Sequence, residues 1–526
     1  MTSSRTRWIG LVFISLAVSL IIVDSTIVNV AIPSIIDDLG LTSTQVQWVQ
    51  ESYTLVFAAL LLVFGTLADK FGRRRMMVIG MALFGISSIA AALVTTPELL
   101  IGARVIQGLG GAMVLPTTLS LVNATFRGKE RGIAFAIWGS TIGGMVAVGP
   151  LLGGWLTTDF SWRWAFGINI PLSVIIIIGA LLTVQESREA TARRIDWFGA
   201  VLSVVALTAL VFGLIEGRTY GWWLVNKPFT LGDITWDSGI SIIPVCFAIF
   251  VLATAGFIFH GLSRQKRGKS TLIAFNLFTI SSFTNGNIAA MIISMGEFGI
   301  ILSLPLWLQF VVGYDALQTG FVILALAIGA FVASGLAGGL SGRVRPVRMV
   351  QLGILLEIIG VAGVGFGISA TGDWWSVVPW LFIYGMGVGL ATAQLTNVIL
   401  KDVPVEESGQ ASGTQSTSRQ LGSALGIAVL GTILFSFTAG LLTTSLNDMK
   451  LPEKQVTAIV NAVVDSSGAA IPALEKDPAT APIAEKAKVA FSDATKYGAY
   501  SAAGFLVLGF FSTLSLAGKR RDESEK

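Results

Sequence analysis

The chain has 526 residues, of which 53% are hydrophobic and 13% are charged, and its mean hydropathy is +0.76. Soluble proteins carry roughly 25% charged residues, so this composition excludes a set of soluble domains. The formal net charge of +4 does not indicate nucleic-acid binding, because the basic residues cluster in alternate short loops, as in membrane proteins. One cysteine and one histidine leave no intramolecular disulfide and no His/Cys metal cluster, and we expect no metal and no cofactor.

Hydrophobic runs of about 20 residues, each long enough to cross the roughly 30 Å core of a bilayer, recur along the whole chain. The first run starts with basic residues like a signal peptide, but it is too long and has no clear cleavage site, so we expect it to be retained. The ninth and thirteenth runs are long enough to be tilted, broken or extended beyond the lipid. The sequence predicts an all-α polytopic membrane protein with fourteen spans, at about 8–31, 46–68, 75–95, 99–123, 132–157, 162–184, 196–216, 240–261, 279–311, 316–340, 347–370, 376–400, 409–440 and 496–517.

Most lysine and arginine residues lie in the loops on one side of these spans. The basic loops and both chain ends belong to that side, whereas the short loops on the other side carry few basic residues. Basic loops stay in the cytoplasm, so we expect a multi-pass protein of the cytoplasmic membrane with cytoplasmic amino and carboxyl termini. The basic loops are at 73–75, 127–131, 188–194, 264–269 and 343–348.

One basic loop occurs twice. Gly65–Met76 aligns without a gap with Gly338–Met349, although Gly342 replaces Asp69 and Arg345 replaces Gly72. A repeated loop between membrane helices indicates a transporter built from two related halves. Because only the first copy keeps its aspartate, we expect asymmetric gating with Asp69 as the more sensitive position.

The position of the repeat divides the chain into three parts. The sequence predicts a six-helix bundle at 1–190, two inserted helices with a cytoplasmic linker at 191–270, and a second six-helix bundle at 271–526. The second bundle contains a hydrophilic outer segment at about 441–495, which is interpreted either as a simple spacer or as short amphipathic helices.

Four segments, Asp24–Pro33, Gly65–Arg75, Arg104–Ala112 and Gly149–Gly154, lie in order along the first five predicted spans. They resemble, respectively, the first-span, loop, fourth-span and fifth-span antiporter signatures of the major facilitator superfamily. The branch that the chain resembles most is that of the fourteen-span drug:proton antiporters. Met145 departs from the fifth-span pattern, which usually has glycine there. The resemblance covers nearly the whole chain and implies two six-helix bundles plus two central helices.

Two charged residues inside these spans are candidates for proton coupling. Burying an aspartate at a helix centre costs about 2.5–3.5 kcal/mol, so we predict that Asp24 is a protonatable carboxylate facing a central cavity. The alternatives are a hydrogen-bonding role between helices or contact with outer water. Arg104 needs a carboxylate or carbonyl partner; the resemblance implies proton coupling, and a structural clamp between helices remains the alternative.

Further acidic residues lie in other spans. Glu297 and Glu357 fall inside hydrophobic runs, and their cost of burial makes them candidates for a second proton site or for pairing with a cationic substrate. Glu51 and Glu216 lie near span ends, where contact with water is the simpler explanation.

The repeated loop and the fifth span carry two further groups of candidates. The resemblance implies conformational gating for the loop; a topology anchor is the alternative, although an aspartate and a glycine add nothing to anchoring. The predicted gating residues are Gly65, Asp69, Gly72, Arg73 and Arg74. The resemblance associates the fifth-span motif with export, and close helix packing is the alternative. Its residues are Gly149, Pro150, Gly153 and Gly154.

Aromatic and amide side chains within the spans are candidates for a substrate cavity. Aromatic faces can hold an organic cation, although for any single aromatic residue helix packing is the simpler explanation. The predicted cavity residues are Asn29, Trp138, Trp307, Gln309, Tyr384, Gln394 and Asn397.

Together these observations predict proton-coupled efflux of lipophilic, cationic drugs or other toxic compounds by alternating access. The expected partners are a small lipophilic or cationic substrate, protons and the lipid bilayer, with no nucleic acid, and we expect a monomer that is not an enzyme. One alternative is export of a metabolite such as a lipid, amino acid or siderophore. A polytopic membrane enzyme or a sensor is a second alternative. The lack of a His/Cys/carboxylate cluster argues against a metalloenzyme, and the repeated loop argues against a sensor.

Overall fold

The structure of the chain is a computed structural model, which describes residues 4–188, 196–231, 234–236, 238–340, 344–404, 408–514 and 516. Gly342 of the second loop copy lies outside the described residues, as do part of the predicted linker and the basic carboxyl end.

The described residues are almost entirely helical. A short antiparallel hairpin, β1 (Phe229–Leu231) and β2 (Ile234–Trp236), joins α8 to α9, and two 3-10 turns precede α10 and α13. The helices are α1 (Ser4–Leu39), α2 (Ser43–Phe71), α3 (Arg73–Leu93), α4 (Pro97–Thr125), α5 (Gly128–Asp159), α6 (Trp164–Gly167), α7 (Asn169–Thr183), α8 (Trp197–Tyr220), α9 (Ile242–Lys266), α10 (Ser281–Phe310), α11 (Ala316–Leu340), α12 (Pro346–Gly367), α13 (Val378–Leu400), α14 (Ser408–Asp448), α15 (Glu453–Asp465), α16 (Ala470–Lys476) and α17 (Ala481–Leu514).

Thirteen helical segments of the described chain are long and apolar enough to cross a membrane. Each coincides with one of the predicted spans. The remaining predicted span, 132–157, coincides with α5, which is not among the thirteen. The all-α class is therefore confirmed, whereas the number fourteen stays a prediction.

Two spans differ from their predicted bounds. The sixth is broken at Ile168 into α6 and α7. The last helix, α17, begins at Ala481 instead of 496, because small apolar residues such as Ala484 and Ala487 continue the buried stripe beneath its charged face. The hydrophilic outer segment is correspondingly shorter. It contains α15, whose Val456, Val460, Val463 and Val464 are buried while its polar residues face outward. Of the two interpretations of this segment, α15 fits that of a short amphipathic helix, and the role of the segment stays open.

The helices before α8 and those after α9 pack in the same pattern. In the first set α1 packs on α5, and α4 packs on both α2 and α3; in the second set α10 packs on α14, and α13 packs on both α11 and α12. The two sets meet mainly where α5 contacts α11 and where α2 contacts α14. This pattern fits the predicted two halves, here called the first half (α1–α7) and the second half (α10–α17), although their exact boundaries stay a prediction.

The two ends of the bundle differ in charge and in packing. We call the end that carries Arg73–Arg75 the basic end and the opposite end, near residues 311–315, the far end. At the far end the halves touch closely: the backbone N–H of Leu317 donates to Thr158 Oγ1 over 3.2 Å, and Gln309 Nε2 donates to the carbonyl of Val30 over 3.3 Å. The halves are therefore in contact at the far end in this conformation.

The inserted helices lie to one side of the two halves. α8 packs against α2, α14 and α9, whereas α9 is largely exposed. At the start of α8, Asp196 Oδ1 accepts from the backbone N–H of Gly199 and lies 2.8 Å from Nε2 of His260 on α9. Arg264 Nε lies 3.5 Å from the other carboxylate oxygen. This polar cluster holds the two inserted helices together.

Candidate functional site

An ion pair is enclosed in the first half. Arg104 Nη1 on α4 lies 2.5 Å from Asp24 Oδ2 on α1, and both side chains are almost completely buried. The other oxygen, Asp24 Oδ1, accepts from Gln107 Nε2 over 2.9 Å and from Asn169 Nδ2 over 2.6 Å. Both carboxylate oxygens thus have partners, which a charge in an apolar interior requires.

Three further groups complete this site. Arg104 Nε donates to the carbonyl of Val49 over 3.1 Å, and its guanidinium lies 4.2 Å above the centre of the Tyr53 ring, a distance that allows a cation–π contact. Gln107 and Asn169 also donate to Ser88 Oγ, over 2.8 Å and 3.2 Å. Five helices, α1, α2, α3, α4 and α7, therefore meet at one buried polar network.

A glycine lets α2 approach α4 at this point. A side chain added at Gly108 would lie 2.6 Å from the carbonyl oxygen of Tyr53, so the two backbones touch as small residues permit. This approach brings the Val49 carbonyl within reach of Arg104. The fourth-span motif thus supplies both the cation and the space that positions it.

The structure corrects one prediction for Asp24 and extends another for Arg104. Asp24 does not face a central cavity, because α3, α4 and α7 enclose it and its exposed fraction is 0%. Arg104 has both of the predicted kinds of partner, a carboxylate and a carbonyl. Sequence reasoning missed Ser88 and Asn169. The only available signal was the amide of Asn169 at the start of an apolar helix.

A second acidic group lies inside the second half. Glu297 Oε2 on α10 is 3.7 Å from Arg419 Nη2 on α14, and the hydroxyl of Tyr384 donates to the backbone carbonyl of Glu297 over 3.2 Å. Glu357 on α12 is fully buried, and neither of its carboxylate oxygens has a hydrogen-bond partner among the described residues. Sequence reasoning missed Arg419, which falls outside the motifs.

The prediction that Glu51 and Glu216 contact water was wrong, because both are buried. Glu51 on α2 is 0% exposed and both its oxygens lack a described partner. Glu216 on α8 is 6% exposed and accepts from Trp48 Nε1 over 2.5 Å. The inserted helix α8 covers this part of α2, which the sequence did not indicate.

A narrow cleft lies between the two halves. It is lined mainly by aliphatic residues of α10 and α11, together with Asn29, Pro150 and Tyr384. Asn29 Oδ1 accepts from Gln50 Nε2 over 2.6 Å. Two of the predicted cavity residues, Asn29 and Tyr384, therefore line this cleft.

The other predicted cavity residues lie elsewhere in this conformation. Trp307 is a core residue of the second half, because its indole N–H donates to Ser492 on α17 and its exposed fraction is 0%. Trp138 is a core residue of the first half and donates to Thr118. For both, helix packing is the correct interpretation. Gln309 bridges the halves at the far end, whereas Gln394 is half-buried and Asn397 is exposed on α13.

The fifth-span motif packs tightly on both halves. Side chains added at Gly149 and Gly153 would collide with Thr26 and with the carbonyl of Ile27 on α1, and one added at Gly154 would collide with the carbonyl of Ala316 on α11. The carbonyl of Pro150 likewise lies against α11. Met145, the departure from the pattern, is half-buried and does not prevent this packing.

The predicted gating loop is short and held by polar contacts. Gly72 has a φ of 112° and separates α2 from α3, a conformation that favours glycine. Arg73 Nη2 lies 2.8 Å from Asp69 Oδ1. Arg74 Nη1 donates to the carbonyl of Val184 over 3.1 Å. The Asp69 contact is thus local to the loop in this conformation.

Sequence reasoning missed the carboxylate that caps this loop. Glu186, which follows α7, accepts from the backbone N–H groups of Arg74 and Arg75 over 3.0 Å and 3.1 Å. These N–H groups begin α3 and have no partner within the helix, and a negative charge is favoured there. Glu186 therefore ties the loop to the end of α7.

We expect Glu186→Ala to loosen this loop without unfolding the bundle. Losing two charge-assisted hydrogen bonds should raise the hydrogen-exchange rates of the Arg74 and Arg75 amides by about tenfold. Exchange measured by mass spectrometry in detergent is the test, with Glu453→Ala on α15 as the control. Unchanged exchange at α3 would show that other contacts hold the loop.

Comparison with known proteins assigns this architecture. A family model described as Major Facilitator Superfamily matches residues 14–427. The chain belongs to the major facilitator superfamily. Among its relatives are a protein named as a probable actinorhodin transporter of Streptomyces coelicolor, 32% identical over 84% of this chain and 75% of the relative, and multidrug resistance protein Stp of Mycobacterium tuberculosis, 32% identical over 88% and 82%.

A third relative and a solved structure agree with this assignment. The puromycin resistance protein pur8 of Streptomyces alboniger is 32% identical over 83% of each chain. The fold matches the crystal structure of a bacterial homologue of the human lysosomal transporter Spinster, inward-facing and unoccupied, with a TM-score of 0.61, 15% identity and 98% of each chain covered. The chain is thus a multi-pass membrane transporter of the drug-efflux branch of its superfamily.

Proposed function

We propose that this transporter exports lipophilic, cationic compounds across the cytoplasmic membrane in exchange for protons. The observation that carries the proposal is the buried ion pair between Asp24 and Arg104. Charges embedded in a membrane protein are costly and commonly mark ion pathways. A proton that binds Asp24 would neutralise the carboxylate, as Arg104 does in the ion pair.

The proposed cycle uses alternating access. In the orientation predicted from the basic loops, the basic end and both termini are cytoplasmic, and the far-end contacts close the outer side. When the far end opens, a proton binds Asp24 and Arg104 loses its charged partner. Reclosing of the far end and release of the proton to the cytoplasm restore the ion pair.

The inter-half cleft supports a lipophilic substrate. Its lining is mostly aliphatic, with an amide from Asn29 and the aromatic ring of Tyr384, which suits an apolar ligand with one polar or cationic group. The names of the relatives, which refer to drugs and antibiotics, support the same substrate class. We propose that the protein works as a monomer.

Export of a metabolite made by the cell is the second candidate. One relative, from Streptomyces glaucescens, is named as a tetracenomycin C resistance and export protein and is 29% identical to this chain. A resistance panel and a metabolite profile of a deletion strain separate the two candidates: drug sensitivity without metabolite retention supports drug efflux.

Transport in lipid vesicles with an imposed pH gradient tests the function directly. We expect wild-type protein to accumulate the cationic dye ethidium against its gradient only when the pH gradient is present. One pH unit gives each exchanged proton about 1.4 kcal/mol, which supports a roughly tenfold gradient of ethidium per proton. If the wild-type protein accumulated ethidium to the same extent with and without the pH gradient, proton coupling would be excluded.

Asp24→Asn tests the role of the ion pair in the same vesicles. We expect this variant to be inserted but less stable to heat, because Arg104 loses its carboxylate partner, and to lose proton-driven efflux, since the amide cannot take up a proton. Asp24→Glu, which keeps an ionisable group, should retain part of the activity, and Glu453→Gln on α15 serves as the control. Normal efflux by Asp24→Asn would rule out the proton-carrying role of Asp24.

A further inference from the structure

The internal repeat extends beyond the basic loop to the buried polar site. A shift of 273 positions places Asp24 on Glu297 and Tyr53 on Leu326. A shift of 277 positions relates α4 to α13 and places Gly108 on Gly385. Gly108 packs on the carbonyl of Tyr53, and Gly385 packs on the carbonyl of Leu326. The related positions thus make the same contacts in both halves.

A second pair of contacts follows the same shifts. On α3 and α4, Gly80 packs on the carbonyl of Gly110, and on α12 and α13 the corresponding Gly353 packs on the carbonyl of Gly387. The second half therefore contains the structural equivalent of the Asp24 site, with Glu297 as its carboxylate.

The equivalent site lacks the arginine of the first half. Leu381 stands at the position of Arg104, and Tyr384 stands at the position of Gln107. On α12, Glu357 stands at the position of Phe84, which is a buried core residue of the first half. The second half has thus exchanged a cation for an apolar residue and an apolar residue for a carboxyl group.

The hydrogen bonding of the two sites differs accordingly. Both oxygens of Asp24 accept hydrogen bonds from buried donors. In the second half, Oε1 of Glu297 and both oxygens of Glu357 have no described partner. Two ionised carboxylates there would face a single cation, so an excess negative charge would be buried without donors. Such a charge is strongly disfavoured, whereas one added proton makes the group neutral.

The neighbouring groups indicate how the proton leaves. Arg419 of α14 lies 3.7 Å from Glu297. Helix α13 touches both acids, because the Tyr384 hydroxyl donates to the backbone carbonyl of Glu297 and Gly387, one turn further along, packs on the Glu357 side chain. The Arg419 side chain is 25% exposed, whereas that of Glu297 is 6% exposed. Arg419 is therefore the member of the group that reaches open space, and it lies close enough to compensate a carboxylate on Glu297.

We propose that Glu297 and Glu357 form one proton-binding unit, that this unit holds a single proton in this conformation, and that Arg419 compensates the unit's charge when the proton leaves. This unit rests on the proton-coupled efflux proposed above and adds a proton to the one assigned to Asp24. Arg419 acts as a positioning residue.

Vesicles that contain the full-length protein and ethidium test this unit. At one pH unit of imposed gradient, the loss of one exchanged proton lowers the steady-state ethidium gradient by about tenfold. We expect this loss in Glu297→Gln, in Glu357→Gln and, to the same extent, in the double variant. Arg419→Gln should slow proton-coupled uptake, and Arg419→Lys should restore it in part. Glu453→Gln is the control.

Several outcomes would overturn the proposal. One is an unchanged ethidium gradient in the single variants. Another is an additive loss in the double variant, which would indicate two independent protons. A third is the loss of ethidium counterflow without a pH gradient, which would indicate that the acids are needed for packing. A wild-type gradient that does not respond to pH would instead reject the proposed function itself. Infrared spectroscopy in detergent provides a measurement independent of transport. The difference spectrum between wild type and Glu357→Gln, in which the band of any other buried carboxyl group such as Glu51 cancels, should show the loss of one protonated carboxyl band. A difference spectrum without such a loss, in both Glu357→Gln and Glu297→Gln, would contradict the single proton of this unit.

Discussion

Arg104→Leu is expected to be among the most damaging single substitutions in this protein. It introduces the residue that the second half carries at the equivalent position, but leaves Asp24 buried without its cation. Removing one member of a buried ion pair destabilises a protein by about 3–5 kcal/mol. We expect a clear loss of thermal stability in detergent and no proton-driven efflux of ethidium.

The double variant Asp24→Asn/Arg104→Leu separates stability from coupling. Because it removes both charges, it should recover much of the stability lost in Arg104→Leu, as a double-mutant cycle would reveal, yet it should remain inactive in proton-driven transport. If Arg104→Leu alone unfolded at the wild-type temperature, the ion pair would not contribute to the packing of α1 on α4.

Gly154→Val should trap the transporter with its far end open. The added side chain would enter the space occupied by the Ala316 carbonyl on α11. Overpacking of this kind costs about 1–3 kcal/mol, which shifts a conformational equilibrium by roughly 5- to 150-fold. Transport should fall accordingly, while each half keeps its fold.

Labelling of a cysteine at the far end measures this shift. In a Cys246→Ser background, a cysteine introduced by Gln309→Cys should react faster with a water-soluble reagent when Gly154→Val is also present. Gly335→Val on α11 is a matched control, because nothing lies within 4 Å of a side chain added there. Full transport by Gly154→Val would mean that the far end does not need to close this tightly.

The sequence was sufficient for features that depend on one helix at a time. Hydrophobic length located the spans, and the cost of burying charge singled out Asp24, Arg104, Glu297 and Glu357. The requirement of a guanidinium for a partner anticipated the contacts of Arg104 but not their geometry. These predictions rest on local composition, which the chain displays directly.

The features that the sequence did not indicate depend on contacts between helices. Asn169 and Ser88 join the ion pair only because α7 and α3 pack around α1. Glu51 lies near the end of a span, where the sequence predicts contact with water, but the packing of α8 against α2 buries it. The sequence does not distinguish Trp138 and Trp307 from tryptophans that line a cavity. Their contacts with neighbouring helices show that both belong to the core.

The position of α8 has a consequence for how a lipid-soluble compound reaches the cleft. α8 packs against both α2 and α14, so it covers the membrane-facing side of one seam between the halves. Within the described helices, the seam between α5 and α11 has no inserted helix over it. On the α2 side a compound dissolved in the bilayer would meet α8 before it met the seam, whereas on the α5 side only the contact between α5 and α11 itself separates the bilayer from the cleft. We therefore expect lateral entry to use the α5 side, when that contact opens.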